Sequence, residues 1–164
     1  MIKPALNYND NEWVNLIGRY IMNMGAIEMT SRLIIARIHN TDKIAIFNED
    51  LESRIKYIKA KYPRNNKARH SMAMKLFSVI ERHIGFRNII AHSPIVLSGD
   101  ETGPKSVIGI LNLKPKQKDL LAEIIKLDEI RGRVNESAAL GTRLLEISND
   151  FPVIGADELG TSRS

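Results

Sequence analysis

The sequence predicts a mainly-α protein, an antiparallel bundle of four to five helices with a small β-hairpin inserted before the last long helix. Three observations predict it. Apolar residues recur at three- and four-residue spacing in four long stretches; the connections between those stretches are short; and one segment alone switches to β-branched runs around a Gly-, Asp- and Pro-containing turn.

Asn9 or Asp10 is placed to cap the first helix, in which Trp13, Leu16, Ile17, Tyr20, Ile21, Met24 and Ile27 form one stripe running to about Ile38. Gly18 and Gly25 lie inside it, and since a helical glycine costs about 1 kcal/mol relative to alanine, the expectation is that they permit close helix contact. Glu28 and Arg32, one turn apart, read as an intrahelical ion pair. The stretch His39 to Lys43 punctuates the chain. Asn48 or Asp50 then opens a second helix through Leu51, Ile55, Ile58 and Tyr62, stopped by Pro63. A third helix uses Met72, Leu76, Val79, Ile80 and Ile84, passes Gly85, where a bend is expected, and ends before Pro94. Ile95 to Leu97 and Val107 to Leu111 form the hairpin. Pro115 starts the last helix, with Leu120, Ile124, Leu127, Ile130 or Arg131, Val134, Ala138 and Leu145 as its buried stripe. Residues 1–148 are thus expected as one helical domain and 149–164 as a short flexible tail.

Hydrophobic residues at 43% and charged residues at 26% are those of an ordinary soluble globular protein. The absence of cysteine excludes disulfides, thiolate metal sites and a cysteine nucleophile, and points to a reducing, cytoplasmic setting. No stretch has the length of a membrane span, and the N-terminus lacks the apolar core of a signal peptide. The glycines fit no phosphate-binding fingerprint and the four histidines no metal-binding spacing, so neither cofactor nor metal is expected.

Net charge is +5, and its distribution is uneven. Ser53 to Ile80 holds eight cations (Arg54, Lys56, Lys59, Lys61, Arg64, Lys67, Arg69 and Lys75) and no acid, so the rest of the chain sums to −3 (+5 minus +8). Such a segment is the footprint expected for RNA or another polyanion, and Arg54 through Arg69 are the candidate contacts; the alternative is a solvated helix face.

The motif with chemistry in it is "RNIIAH", Arg87 to His92, at the end of the third helix. On a helix, Asn88 and His92 share a face, and Arg87, about 140° from His92, has a side chain long enough to fold toward it. Histidine exchanges a proton near neutral pH, arginine offers a charged fork matched to phosphate oxygens, and asparagine orients. Together these roles suit cleavage of RNA by its own 2′-hydroxyl, without a metal. That reaction uses both a base and an acid, so a single histidine per chain predicts a homodimer that unites two motifs in one cleft. His83, one turn before Arg87, is either a second acid–base group or a satisfied helix-surface histidine. The similar string "RNNKARH" (Arg64 to His70) lies in a basic turn and is assigned to the charged segment.

With its Arg, Asn and His in a late bundle helix, "RNIIAHS" resembles the hallmark of the HEPN domains (higher eukaryotes and prokaryotes nucleotide-binding), an Arg and a His with four to six residues between them, commonly with Asn after the Arg. At fold level the resemblance covers residues 10 to 148; at residue level Arg87, Asn88 and His92 carry it. It implies a metal-independent endoribonuclease with a composite site across a homodimer, Arg87 and His92 catalytic and Asn88 supporting, in a family many of whose members serve as toxins with an antitoxin partner or in phage defence. The inserted hairpin departs from the minimal family pattern. The competing reading is a non-catalytic helical adaptor that binds RNA, nucleotide or a protein through the basic face.

Overall fold

The computed structural model describes residues 2–3, 11–41, 49–92, 95–100, 103–111 and 122–151, and within these the side chains of residues 2–3, 11, 92, 95–100, 103–111 and 122–124 are left aside. The protein is a mainly-α helical bundle with elements β1 (Ile2–Lys3), α1 (Asn11–Ile38), α2 (Leu51–Lys61), α3 (Lys67–His92), β2 (Ile95–Asp100), β3 (Gly103–Leu111), β4 (Ala122–Lys126) and α4 (Leu127–Ser148).

Each helix begins and ends for local reasons. The expected cap of α1 at Asn9 or Asp10 lies outside the described residues. Its C-terminus closes at Asn40, whose φ of 46° is the left-handed turn that asparagine tolerates. The amides of Asn40 and Thr41 return to the carbonyls of Arg37 (3.1 Å) and Ala36 (3.0 Å), which completes a Schellman motif. In α2 the cap is Asp50, which accepts from the Ser53 amide at 2.7 Å. That bond holds the Asp50 carboxyl below its usual pKa. Tyr62, the residue before Pro63, turns extended and ends the helix. Asn66 caps α3 through its side chain on the Arg69 amide (3.0 Å), and α3 runs unbroken past Gly85.

The chain divides into two compact units, Met1–Asn23 with Gly85–Ala138, and Met24–Ile84 with Ala139–Ser164; α1, α3 and α4 each pass from one into the other. The first unit buries Trp13, Leu16, Tyr20, Phe86, Ile90, Ile125, Ile130 and Val134. Asn23 of α1 donates to the Val134 carbonyl and to Ser137 Oγ of α4, both at 3.0 Å. The sheet, ordered β1-β2-β3-β4 and antiparallel throughout, belongs to this unit, and it contains the expected hairpin as β2 and β3 with Ile95 opposite Ile110 and Leu97 opposite Ile108. The second unit buries Met24, Ile27, Ile34, Ile55, Ile58, Phe77, Ile80, Leu140, Leu144 and Phe151.

Several expectations are corrected. Residues 112–121, where the last helix was expected to start, lie outside the described residues, but 122–126 are strand rather than helix. The β-branched pair Ile124–Ile125 suits a strand, and the edge of β3 supplies its hydrogen-bond partners. Of the stripe expected in α4, Ile130 and Val134 are buried, but it continues through Ser137 and Leu144, one position earlier than Ala138 and Leu145, and leaves Leu145 55% exposed. An apolar pattern misses that register because its middle position is a serine, which a partner side chain satisfies. Met72 is exposed and Ala73 takes its place in the core. Gly18 and Gly25 are exposed, and a Cβ at either would meet nothing within 4 Å, so no close contact within the described structure requires them. Of the expected tail, Asn149 to Phe151 is held in place, with Phe151 buried, and 152–164 lie outside the described residues.

Candidate functional site

Helix α3 carries the motif on its last turn and a half. Arg87 is half-buried and donates through Nη1 to Oδ1 of the exposed Asn88 at 3.2 Å. His92 is the final helical residue, one turn beyond Asn88, and its side chain lies outside those described. The structure thus joins Arg87 and Asn88 and places the His92 backbone on the same turn of chain that ends the helix.

The surroundings bring in residues that motif reading did not select. Phe86, beside Arg87, is buried and meets the Tyr20 ring edge-on, with centroids 5.2 Å apart. The Arg133 guanidinium of α4 lies over the Phe86 ring at 3.9 Å, a cation–π contact, and is tied to Glu129 one turn earlier at 2.9 Å. Burial raises the Tyr20 phenol above its ordinary pKa; the charges of Arg133 and Arg87 oppose that rise and Glu136 adds to it. Arg133 carried no signal in the sequence, because its relation to Phe86 exists only once α4 packs on α3. The arrangement offers the Arg87 guanidinium, hydrogen-bonded to the Asn88 amide, as a positive charge suited to an anion, while Arg133 is already paired with Glu129.

The basic segment, all in the second unit, resolves into three kinds of residue. Arg54 is no surface contact: it is 2% exposed, its Nε donates to Ser31 Oγ at 3.0 Å, and its Nη1 donates to the Glu49 carbonyl. Position 54 falls three residues after Leu51 and four before Ile58, on the face that α2 buries, and this spacing overrides what charge alone suggests. Burial, then the Arg32 charge, lowers the Arg54 pKa. Lys56, Lys59 and Arg69 are paired, with Glu52 (2.7 Å), Glu81 (3.1 Å) and Asp150 (2.7 Å); every one of these acids lies outside the acid-free stretch. Lys61 lies 5.9 Å from the centre of the Tyr57 ring. Exposed Arg64, Lys67 and Lys75 have no ion pair among the described residues.

A polar cavity of about 340 Å³ is lined by Tyr62, Pro63, Asn65, Asn66, Arg69, Asn149 and Asp150, and exposed Arg64 and Lys67 are the chain neighbours of its lining residues Pro63, Asn65 and Asn66. Asp150 is its anchor. Arg69 grips it through Nε (2.8 Å) and Nη2 (2.7 Å), and the Tyr62 hydroxyl donates to it. Burial pushes the Asp150 carboxyl up, but the hydrogen bonds from Arg69 and Tyr62 outweigh this and leave it below its ordinary pKa. Burial and the Asp150 bond push the Tyr62 phenol up to about 12, so it remains a donor at neutral pH. The Tyr62 ring also packs edge-on against Phe77 and Phe151, at 5.9 and 5.8 Å.

His83, expected on the helix surface or as a second acid–base group, is 1% exposed and belongs to the core, which closes it to solvent. Among the described residues no group of three or more His, Asp or Glu side chains is placed to hold a metal ion, and no helix is long and apolar enough to cross a membrane. Compared with known proteins, the chain matches no family, no curated protein and no solved structure.

Proposed function

We propose that the chain is a metal-independent endoribonuclease of the HEPN type, working through Arg87 and His92, with Asn88 supporting, in a site completed by a second copy. The observation that carries the reading is the Arg87–Asn88 pair on the last turns of α3, one turn before His92, in a mainly-α bundle. In the reaction, one His92 takes the proton of a ribose 2′-hydroxyl as that oxygen attacks the adjacent phosphorus. The bond from phosphorus to the 5′-oxygen breaks, and the partner's His92 supplies the proton that the leaving oxygen needs. The products are a 2′,3′-cyclic phosphate and a 5′-hydroxyl. Arg87 holds the phosphate and meets the charge that builds on its oxygens. The resemblance to HEPN domains adds toxin or phage-defence action to this proposal.

The test is incubation of the protein with mixed cellular RNA in EDTA, beside His92→Ala. Cleavage by wild type alone with cyclic phosphate ends is the expected result. No cleavage at protein excess, with folding checked, refutes it.

A second reading has its own observation: Arg64 and Lys67 stand exposed beside the amide-rich cavity. A non-catalytic adaptor would bind RNA there. Under this reading Arg64→Glu with Lys67→Glu weakens binding strongly and lowers its salt dependence, while His92→Ala changes nothing.

A further inference from the structure

Helix α1 is one unbroken helix, so the spacing of side chains along it is set by its own backbone. Its buried side holds Trp13, Leu16, Tyr20, Met24 and Ile27. The opposite side of a surface helix ordinarily carries charge. Here it carries none: Val14, Asn15, Gly18, Ile21, Met22, Gly25, Ala26 and Met29 are exposed, and from Val14 to Met29 only Arg19 and Glu28 are charged, both at the borders of this face. Met22 is 75% exposed, Met29 55%, Val14 46% and Ile21 38%, which marks a continuous apolar stripe rather than a scattered residue or two.

The order of residues in the stripe identifies what covers it. Outward from the midpoint between Ile21 and Met22, either direction meets a large apolar residue, then a glycine, then a large apolar residue at the same steps: Ile21, Gly18, Val14 one way and Met22, Gly25, Met29 the other. A two-fold axis at that midpoint sets a second α1 antiparallel to the first, with Ile21 against the other copy's Met22, Gly18 against Gly25, and Val14 against Met29. Self-complementarity of this kind is what an isologous contact demands. The open space above Gly18 and Gly25 lets a facing helix approach closely, at the short end of the usual 8–10 Å interaxial range. Glycines with no packing role inside the chain thereby gain one between chains.

We infer that the exposed stripe of α1, Val14 to Met29, is a docking surface for the α1 helix of a second copy of this chain, antiparallel and centred on Ile21 and Met22. The contact is separate from the meeting of two Arg87/His92 motifs and does not rest on the ribonuclease reading. A face about 22 Å long is small beside the roughly 1,200–2,000 Å² in total that stable complexes bury, so the association is expected near micromolar.

Sedimentation equilibrium of the full chain up to about 100 µM is the first test, beside Met22→Lys, which changes an exposed residue and leaves the core alone. A two-fold axis brings two such lysines together, so the dissociation constant should rise by about 30-fold or more. Orientation is read by cross-linking, since the chain has no cysteine of its own. Gly18→Cys with Gly25→Cys in one chain should oxidise to a covalent dimer, while each single variant should not. A monomeric wild type, a dimer indifferent to Met22→Lys, or a Gly18→Cys variant that links to itself overturns the inference. So does a monomer that instead binds phospholipid vesicles through this face. A monomeric wild type would also remove the second copy that the ribonuclease reading calls for, whereas a dimer indifferent to Met22→Lys or a self-linking Gly18→Cys variant overturns this contact alone and leaves that reading standing.

Discussion

Replacing Arg54 by methionine should leave stability within about 1 kcal/mol of wild type, whereas alanine at the same place should cost about 2–4 kcal/mol. The guanidinium is almost fully buried, and its two hydrogen-bond partners are neutral, Ser31 Oγ and the Glu49 carbonyl. Charge-assisted bonds of this kind contribute about 1.5–3 kcal/mol each, against a desolvation cost of several kcal/mol for the ion, to which the repulsion of Arg32 adds. The two sides nearly cancel. Neither partner is orphaned by methionine, because Ser31 Oγ also donates to the Glu28 carbonyl at 2.7 Å and Glu49 is exposed to water. Methionine keeps the buried stem; alanine removes two methylenes at about 0.8 kcal/mol each and leaves a cavity besides. Urea midpoints of the three proteins, compared at equal slope, measure the difference. A methionine variant as unstable as the alanine variant would refute the reasoning, for it would make the buried charge a net source of stability. If RNA binds, the methionine variant should also keep the wild-type salt dependence, as a residue out of reach of phosphate must.

Gly18→Ala with Gly25→Ala should stabilise the monomer by about 2 kcal/mol, about 1 from each, since both sites are exposed and about 10 Å apart along the helix. The melting temperature, taken at a dilution where the chain is monomeric, should rise by about 4–8 °C, and a fall would mean that the added methyl groups clash after all. Asp150→Asn should cost about 1–2 kcal/mol at neutral pH, moderated by the partial exposure of Arg69. Because the Asp150 pKa is lowered in the folded chain, its contribution is present above the unfolded value near 4 and is lost as pH falls through the folded one. The wild-type advantage over the variant should therefore stay level from about pH 8 to pH 5 and shrink under acid, as urea unfolding across pH would record; an advantage unchanged by acid would show that the charge is not its source.

Helix limits were the most legible part of the fold, because they depend on neighbours in sequence. Asp50, Pro63, Asn66 and the turn at Asn40 act within a few residues of where they stand. The hairpin could be read for the same reason. The strand at 122–126 could not, since its pairing partner on β3 is distant in sequence, and the register of α4 was obscured where Ser137 occupies a buried position. In the candidate site, the spacing of Arg87, Asn88 and His92 is a property of one helix and needs no tertiary information. Arg133 and Tyr20 meet Phe86, the neighbour of Arg87, only through packing.

What the sequence by itself determined, then, is the mainly-α class, the helix ends and the one-helix motif, because local backbone preference and capping settle them within a turn or two. Which cations face solvent was a tertiary decision. Arg54 goes inward since α2 must bury the face that Leu51 and Ile58 share, and Lys59 and Arg69 find Glu81 and Asp150, acids distant in sequence that packing alone brings within reach. Burial and Coulomb energy both depend on distances through space, and the order of residues along a chain does not contain those distances until the helices have packed.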